Sequence, residues 1–507
     1  MPRQKGSKNA VRTKKAKIDY AAIIAEKTAA KEQIETEIVA LSDNISALKD
    51  QLKSKKSALK VATKDLSKAE AKKVAAEKKA AEESKKAEAE SVLKKLLASG
   101  MSADEIVAVS ATSQREGMVW LDRFGKEIYA APSVDLRGEE AADLLSGKEP
   151  FIKEITGLPV SGMFGLARLL WYKKFNEAVY DRIDTVMMIS DWICYLLCGS
   201  KVSEPSVASS SQLFDVKNGK WSSELMKSVG LRTDIFPEIS DFGEQIGTVT
   251  KEAACETGLK EGTPVICGAA DSQAGLVGMN VLKSGMLAAV AGTTTPVMRV
   301  TDRYEVDEFA FTNRHGVPGL WLQEGNAGIT GLALRWVRDL FRTDYEIMTQ
   351  EAMSVPLGCD GMRCFSGHEI AGRRSSTCRS GFVFPTPWVL DSYKRGHFFR
   401  AVYEANCYAV RANLEAIKAD SKAPLYVCGG QTASDFYNGI LADVCGRQVI
   451  TQKEREITGL GIAMGAFTGV GLYKDIREAA AEMSFAGKIY EPKHDCQAFY
   501  EDWLEKY

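Results

Sequence analysis

From Ile34 onward, apolar residues recur in alternating steps of four and three: Ile34, Ile38, Leu41, Ile45, Leu48 and Leu52, with Leu59 and Leu66 in the same frame. A seam kept for more than four heptads commits the backbone to a helix and one face of it to a partner helix, which is the pattern of a coiled coil. The alternative is one amphipathic helix lying on a globular domain, which usually shows a wider apolar face and some aromatic residues. Up to residue 100 the only aromatic is Tyr20, the only glycines are Gly6 and Gly100, and there is no cysteine. Past Ala69 the seam fades into "AKKVAAEKKAAEESKKAEAES". That stretch favours helix but has little to bury, and it reads as a solvated helical spacer.

The first seventeen residues, "MPRQKGSKNAVRTKKAK", carry seven Lys or Arg and no acid. "PRQKGSKN" resembles AT-hook-like tails, whose basic residues around a glycine lie along the minor groove of A·T-rich DNA. A disordered basic tail accounts for the same residues. The net charge of −1 argues against nucleic-acid binding by the chain as a whole. No apolar segment follows the basic start as in a secretory signal, and no uninterrupted apolar run reaches the ~18 residues of a membrane span. The cysteines begin at Cys194 and form no CxxC pair, which suits reduced thiols in the cytoplasm. His315, His368, His397 and His494 are too scattered for a metal-ligand spacing.

From residue 102 short β-type runs alternate with amphipathic helices, the pattern of an α/β chain. "TPVICGAAD", "MLAAVAGTTT" and "PLYVCGGQT" each end an apolar run in small or polar residues. Such strand ends present backbone N–H groups at the carboxyl edge of a sheet, where phosphates commonly bind. An isolated acid such as Asp271 can be a turn or cap residue; beside a hydroxyl it can take the proton during phosphoryl transfer.

These segments, in this order, resemble the FGGY family of carbohydrate kinases over residues 105–475 or so. The resemblance implies that Asp271 is the catalytic base and also touches the acceptor. It implies that Gly292, Thr293, Thr294 and Thr295 form a phosphate turn, and that Gly429, Gly430 and Asn438 serve the adenosine of ATP. "EREITGLGIAMGA", with Glu456 and Gly461, and "MMISDWICYLLCGSKVSEPSVASSSQLFD" fit the family's spacing. In "TSQREG" the Arg115–Glu116 pair matches a polyol-binding pair of glycerol-kinase-like members, although a surface ion pair would read the same. The wording around it is similar to the autoinducer-2 kinase branch.

The implied fold is α/β, with two actin-like (ribonuclease H-like) ATPase domains. The basic tail spans 1–17, the coiled coil and spacer 18–101, an N-terminal kinase domain 102–262 and a C-terminal domain 263–507. ATP and Mg2+ are the implied cofactors and a small sugar, polyol or autoinducer-2-like molecule the acceptor. The coiled coil implies a homo-oligomer, and the tail leaves contact with DNA open. FGGY kinases begin with an Asp-x-Gly-Thr hairpin, and residues 1–105 contain no such motif. The first kinase domain is therefore expected to be truncated, with a strand at Ile106–Val109 short of sheet neighbours. A catalytically inactive binding relative and a DNA-associated coiled-coil protein are the other readings.

Overall fold

The computed structural model describes residues 24–39, 51–60, 62–64, 100, 102–374, 380–385 and 392–507. The chain divides into two units, residues 1–101 and 102–507. In the first, 24–39, 51–60 and 62–64 are helical. Ile34, Ile38, Leu52 and Leu59 are exposed there. The basic tail and the seam positions Leu41, Ile45, Leu48 and Leu66 lie outside the described residues.

The second unit opens with strands β1 (Val109–Ser110), β2 (Met118–Leu121) and β3 (Glu127–Ala131), then helix α1 (Gly165–Phe175), strand β4 (Thr185–Met188), helix α2 (Ile189–Cys198) and the short helix α3 (Pro205–Ser209). Next come β5 (Gln245–Thr248), β6 (Pro264–Ile266), α4 (Asp271–Gly278), β7 (Leu287–Val290), β8 (Pro296–Thr301), β9 (Phe311–Arg314) and β10 (Trp321–Asn326). The unit continues through α5 (Thr330–Leu340), α6 (Arg395–Ala416), β11 (Leu425–Cys428), α7 (Asp435–Cys445), β12 (Val449–Gln452), α8 (Ile457–Gly469) and β13 (Ala486–Tyr490) to a last helix, α9 (Gln497–Lys506).

Strand β1 covers Val109–Ser110 rather than Ile106–Val109, because its parallel partner β6 meets it only from Val109, opposite Val265. Val107 is exposed, so an apolar run without a sheet partner stays out of the strand. Among the described residues β1 pairs with β6 alone, and β6 in turn with β5. A separate antiparallel sheet has the order β3-β2-β4.

The large sheet has the order β9-β10-β8-β7-β11-β12-β13. Its centre, β7-β11-β12, is parallel, and antiparallel strands flank it. Alternation along these strands feeds two cores. Leu287, Ala289, Leu425 and Val427 pack into a core built around α6, while Ala288, Met298, Val300 and Leu322 face a second core shared with α4 and α8. Helix α6 is buried on most of its circumference, which a helix tolerates only inside such a layer.

Helices α4 and α8 touch backbone to backbone. A Cβ at Gly461 would stand 1.9 Å from the Ala274 carbonyl oxygen, and one at Gly278 2.3 Å from that of Ile457. Only glycine permits that approach. It fixes α4, and with it Asp271 at the helix start, against the rest of the unit.

Candidate active site

The residues expected to hold the acceptor sit on the segment after β1 and are tied to the one before α4. Thr112 Oγ1 donates to the Ala269 carbonyl at 2.7 Å, and the Asp271 N–H donates to the Ser113 carbonyl at 3.2 Å. A Cβ at Gly268 would collide with the Ala111 carbonyl. These links lace the segment carrying Arg115 and Glu116 to the one that ends in Asp271.

Arg115 is held by a residue that the sequence reading missed. Its Nη1 and Nη2 donate to the two carboxylate oxygens of Glu324 at 2.6 and 2.8 Å, the paired geometry that suits a planar guanidinium. Glu324 lies on β10, wholly buried, and also accepts from Asn313 Nδ2 at 3.4 Å. Burial alone would lower the Arg115 pKa, but the carboxylates of Glu324, Glu116 and Asp271 outweigh it and hold it above its ordinary value. The signal was present in "WLQEGN", an acid inside an otherwise strand-like run.

Glu116 occupies the left-handed region, φ 64°, a conformation that costs a non-glycine residue energy and persists only where its surroundings hold it. Its backbone is pinned on both sides: the N–H donates to Ser210 Oγ at 3.2 Å, and the carbonyl accepts from Arg168 on α1. Burial pushes the Glu116 carboxyl up to about 7, with Arg115 pulling it down and Glu324 and Asp271 pushing it further up.

Asp271 begins α4. Its Oδ1 accepts from the Ser272 N–H at 2.6 Å and from Ser272 Oγ at 3.2 Å, so one carboxylate oxygen is anchored and the other has no hydrogen bond among the described residues. Arg115 and Glu116 both feel its charge. Below it, Ser206 Oγ accepts from the Ala270 N–H at 3.1 Å and donates to Glu204. Burial raises Glu204 to about 8 and Asp191, on α2, to about 7.

The two glycine turns expected to hold the nucleotide are built of backbone. Gly292–Thr295 turns between β7 and β8, its Thr293 carbonyl held by the N–H groups of Gly331 and Leu332 at 3.1 and 3.3 Å. The Thr293 and Thr294 N–H groups have no acceptor among the described residues, which leaves them for an anion. Gly429 takes φ 100°, and a Cβ there would lie 2.6 Å from the Ala291 carbonyl oxygen, so the second turn presses on the first. A cavity of about 1010 Å³ opens over both, walled by Gly292, Thr293, Leu332, Tyr403, Gly430 and Phe436 among others. Tyr403 and Phe436 meet edge to face at 5.4 Å and offer an apolar wall to a flat ring.

Thr295 and Asn438 are not on that wall. Thr295 is wholly buried with its hydroxyl 2.6 Å from that of Thr330. Asn438 is also wholly buried, its Nδ2 donating to the Thr432 carbonyl at 2.8 Å, so it shapes the turn from beneath. Helix α4 also lies near the end of β7: a Cβ at Gly275 would stand 3.7 Å from Thr458 Oγ1 and 4.0 Å from Val290, and Thr458 Oγ1 donates to the Asp271 carbonyl at 3.4 Å.

The N-terminal-domain profile of the FGGY family of carbohydrate kinases matches residues 48–278, and its C-terminal-domain profile residues 287–470. The chain is 30% identical over 436 residues to an autoinducer-2 kinase of Yersinia enterocolitica, covering 81% of this chain and 82% of that one. It is 29% identical to a putative sugar kinase of Bacillus subtilis, covering 82% and 85%. In fold it is similar to a ligand-bound xylulose kinase from Lactobacillus acidophilus (TM-score 0.71, 20% identity, 79% of this chain and 82% of that one). It is also similar to a glycerol kinase from Plasmodium falciparum with ADP (TM-score 0.70, 19% identity, 78% and 82%).

Proposed function

The chain belongs to the FGGY family of carbohydrate kinases, and from that premise we propose that it transfers the γ-phosphoryl group of ATP to a hydroxyl of a small sugar, polyol or autoinducer-2-like acceptor. The observation that supports this reading is the carboxylate oxygen of Asp271 that has no hydrogen bond among the described residues, on a carboxylate whose charge reaches Arg115 and Glu116. A sugar hydroxyl is a weak nucleophile, so its proton must leave as the oxygen–phosphorus bond forms. Asp271 takes that proton, the bond to the β-phosphate oxygen breaks, and ADP departs. The protein's remaining work is alignment and charge. Guanidinium donates and carboxylate accepts, a combination that reads neighbouring hydroxyls.

Mg2+ would supply screening of the phosphate charge. Among the described residues no group of three His, Cys, Asp or Glu is placed to hold a metal ion, so the residues suit an ion carried on the phosphates, with Asp271 the carboxylate at hand. Without an Asp-x-Gly-Thr turn in residues 1–105, turnover is slow. Incubation of the full chain with Mg-ATP and a panel of pentuloses, polyols and autoinducer-type diones tests the reading by ADP release. Nucleotide binding without turnover of any acceptor would make the chain an inactive binding relative instead.

The exposed Ile34, Ile38, Leu52 and Leu59 favour self-association through the heptad seam. Sedimentation at tens of micromolar (roughly) should give dimers or trimers, and Leu52→Lys with Leu59→Lys should give monomers. A wild-type chain that runs as a monomer would remove this part of the reading.

A further inference from the structure

Gln431 follows the second glycine turn directly, and it is the residue through which the two turns are tied. Its Nε2 donates to the Gly292 carbonyl at 2.9 Å and to Thr330 Oγ1 at 2.9 Å, and stands 3.4 Å from Thr295 Oγ1. Its Oε1 accepts from Asn406 Nδ2 at 3.2 Å. Asn406 Nδ2 also donates to the Thr330 carbonyl at 3.0 Å, and its Oδ1 faces His368 Nε2 at 2.9 Å. His368 Nδ1 in turn accepts from the Ser366 N–H at 3.2 Å.

Every orientation in this chain is forced by a backbone group that has only one role. The Ser366 N–H can only donate, so His368 Nδ1 accepts and its proton sits on Nε2. The Thr330 carbonyl can only accept, so the amide group of Asn406 faces it and the Asn406 oxygen faces the histidine. The Gly292 carbonyl can only accept, so Gln431 presents its amide there. The chain is neutral throughout: His368 and Asn406 are buried, and burial drives the histidine down to about 4, against the pull of its Asn406 bond.

We infer that Gln431 is a positioning residue for the nucleotide phosphates, acting by fixing the orientation of the Gly292–Thr293 peptide. A trans peptide points its C=O and its N–H in opposite directions. Holding the Gly292 oxygen on the Gln431 side therefore turns the Thr293 N–H the other way, where no acceptor meets it among the described residues. Glycine is the residue at which such a peptide rotates most freely, so the turn needs a clasp. With the clasp open, the peptide can present a carbonyl to the phosphates, which repels them. A neutral clasp does this without adding a charge that would attract or repel the ligand.

The inference rests on the reading of Gly292–Thr295 as a phosphate turn, and the test separates the two. Calorimetry on the full-length chain would compare ADP with adenosine for wild type and Gln431→Met, which keeps length but removes the amide. The ADP dissociation constant is expected to rise about 5- to 30-fold, the loss of one to two net hydrogen bonds, while adenosine stays within about two-fold. Gln431 is half-buried on the cavity wall, and a thermal melt checks that the variant folds. Thr330→Val opens the clasp from the opposite side and should shift ADP in the same direction, giving an independent reading if Gln431→Met unfolds. Equal weakening of ADP and adenosine, or no change in either, overturns the clasp while leaving the turn assignment standing. A wild type that binds adenosine and ADP equally well, or neither, overturns the turn assignment and the clasp with it.

Discussion

The two regions proposed to hold the acceptor and the nucleotide are built of opposite materials. The acceptor side is dense in charge: Arg115, Glu116, Glu324 and Asp271 sit together, and the strongest contact is a buried guanidinium–carboxylate pair. Around the two glycine turns the direct contacts are glycine backbone, hydroxyls and neutral amides, while Arg335, Glu346 and Asp435 stand on the wider cavity wall. A small uncharged acceptor gives a protein only hydroxyl directions to read, so recognition calls for donors and acceptors locked at fixed angles. A polyphosphate brings its own charge, and what it needs is close approach and N–H groups that do not compete with it. Charge that is locked by pairing is sensitive to protonation. Backbone that is clasped by neutral groups is not.

The sharpest test of that contrast is Asp271→Asn, which preserves shape and removes the proton acceptor. Phosphoryl transfer should fall about 10²- to 10⁴-fold, with the ADP dissociation constant within about two-fold by calorimetry. A rate that survives would end the base assignment, and a large loss of ADP affinity would merge the two sides.

Next in size is Glu324→Gln. It leaves a buried Arg115 facing an amide, and removing one partner of a buried pair destabilises by about 3 kcal/mol or more. The melting temperature should drop clearly and the acceptor KM should rise about tenfold or more, again with ADP affinity unchanged. If stability and acceptor KM both hold, the pair is not what keeps Arg115 in place.

The smallest effect is a slope with pH. Glu116 at about 7, Asp191 at about 7 and Glu204 at about 8 all lie above their ordinary values because of burial. The folded chain therefore keeps protons that the unfolded chain has already released. That stability is fully present below the ordinary carboxylate range and is lost as pH rises through about 7 to 8. Thermal melts should show a midpoint that falls from pH 5 to pH 8 (roughly), and Glu116→Gln should flatten part of the slope. Across the same range ADP affinity should follow only the ionisation of ADP itself, equally in wild type and Glu116→Gln. A midpoint that rises instead would mean the carboxylates gain more from their partners than burial takes from them.

What the sequence disclosed follows the same division. The helix start at Asp271 and the glycine turns were readable as strand-end turns because their requirements are local: a strand end, small neighbours and glycine where a Cβ would collide, as at Gly429 against Ala291. Arg115 and Glu116 were readable as a pair, but the partner that locks Arg115 sits 209 positions away on β10, and nothing local to either residue names the other. Gln431 has no role legible in its motif, because its contacts exist only once Gly292, Thr330 and Asn406 are brought around it. Asn438 was expected beside the base; its position on α7 turns it inward, to the Thr432 carbonyl. The start of β1 was misjudged because apolar character is local and pairing is not.

The contact between α4 and α8 has a consequence for how this chain can vary over generations. At Gly461 and Gly278 the space for a Cβ is already filled by the carbonyl oxygens of Ala274 and Ile457. No residue is smaller than glycine, so each site admits a single letter of the protein alphabet. Other core positions trade letters against their neighbours, a smaller one here for a larger one there. These two, like Gly268 against the Ala111 carbonyl, have nothing to trade. They act as a checksum on the copied gene: a codon change at either site is read out as a displaced helix pair, and Asp271, which begins one of those helices, moves with it.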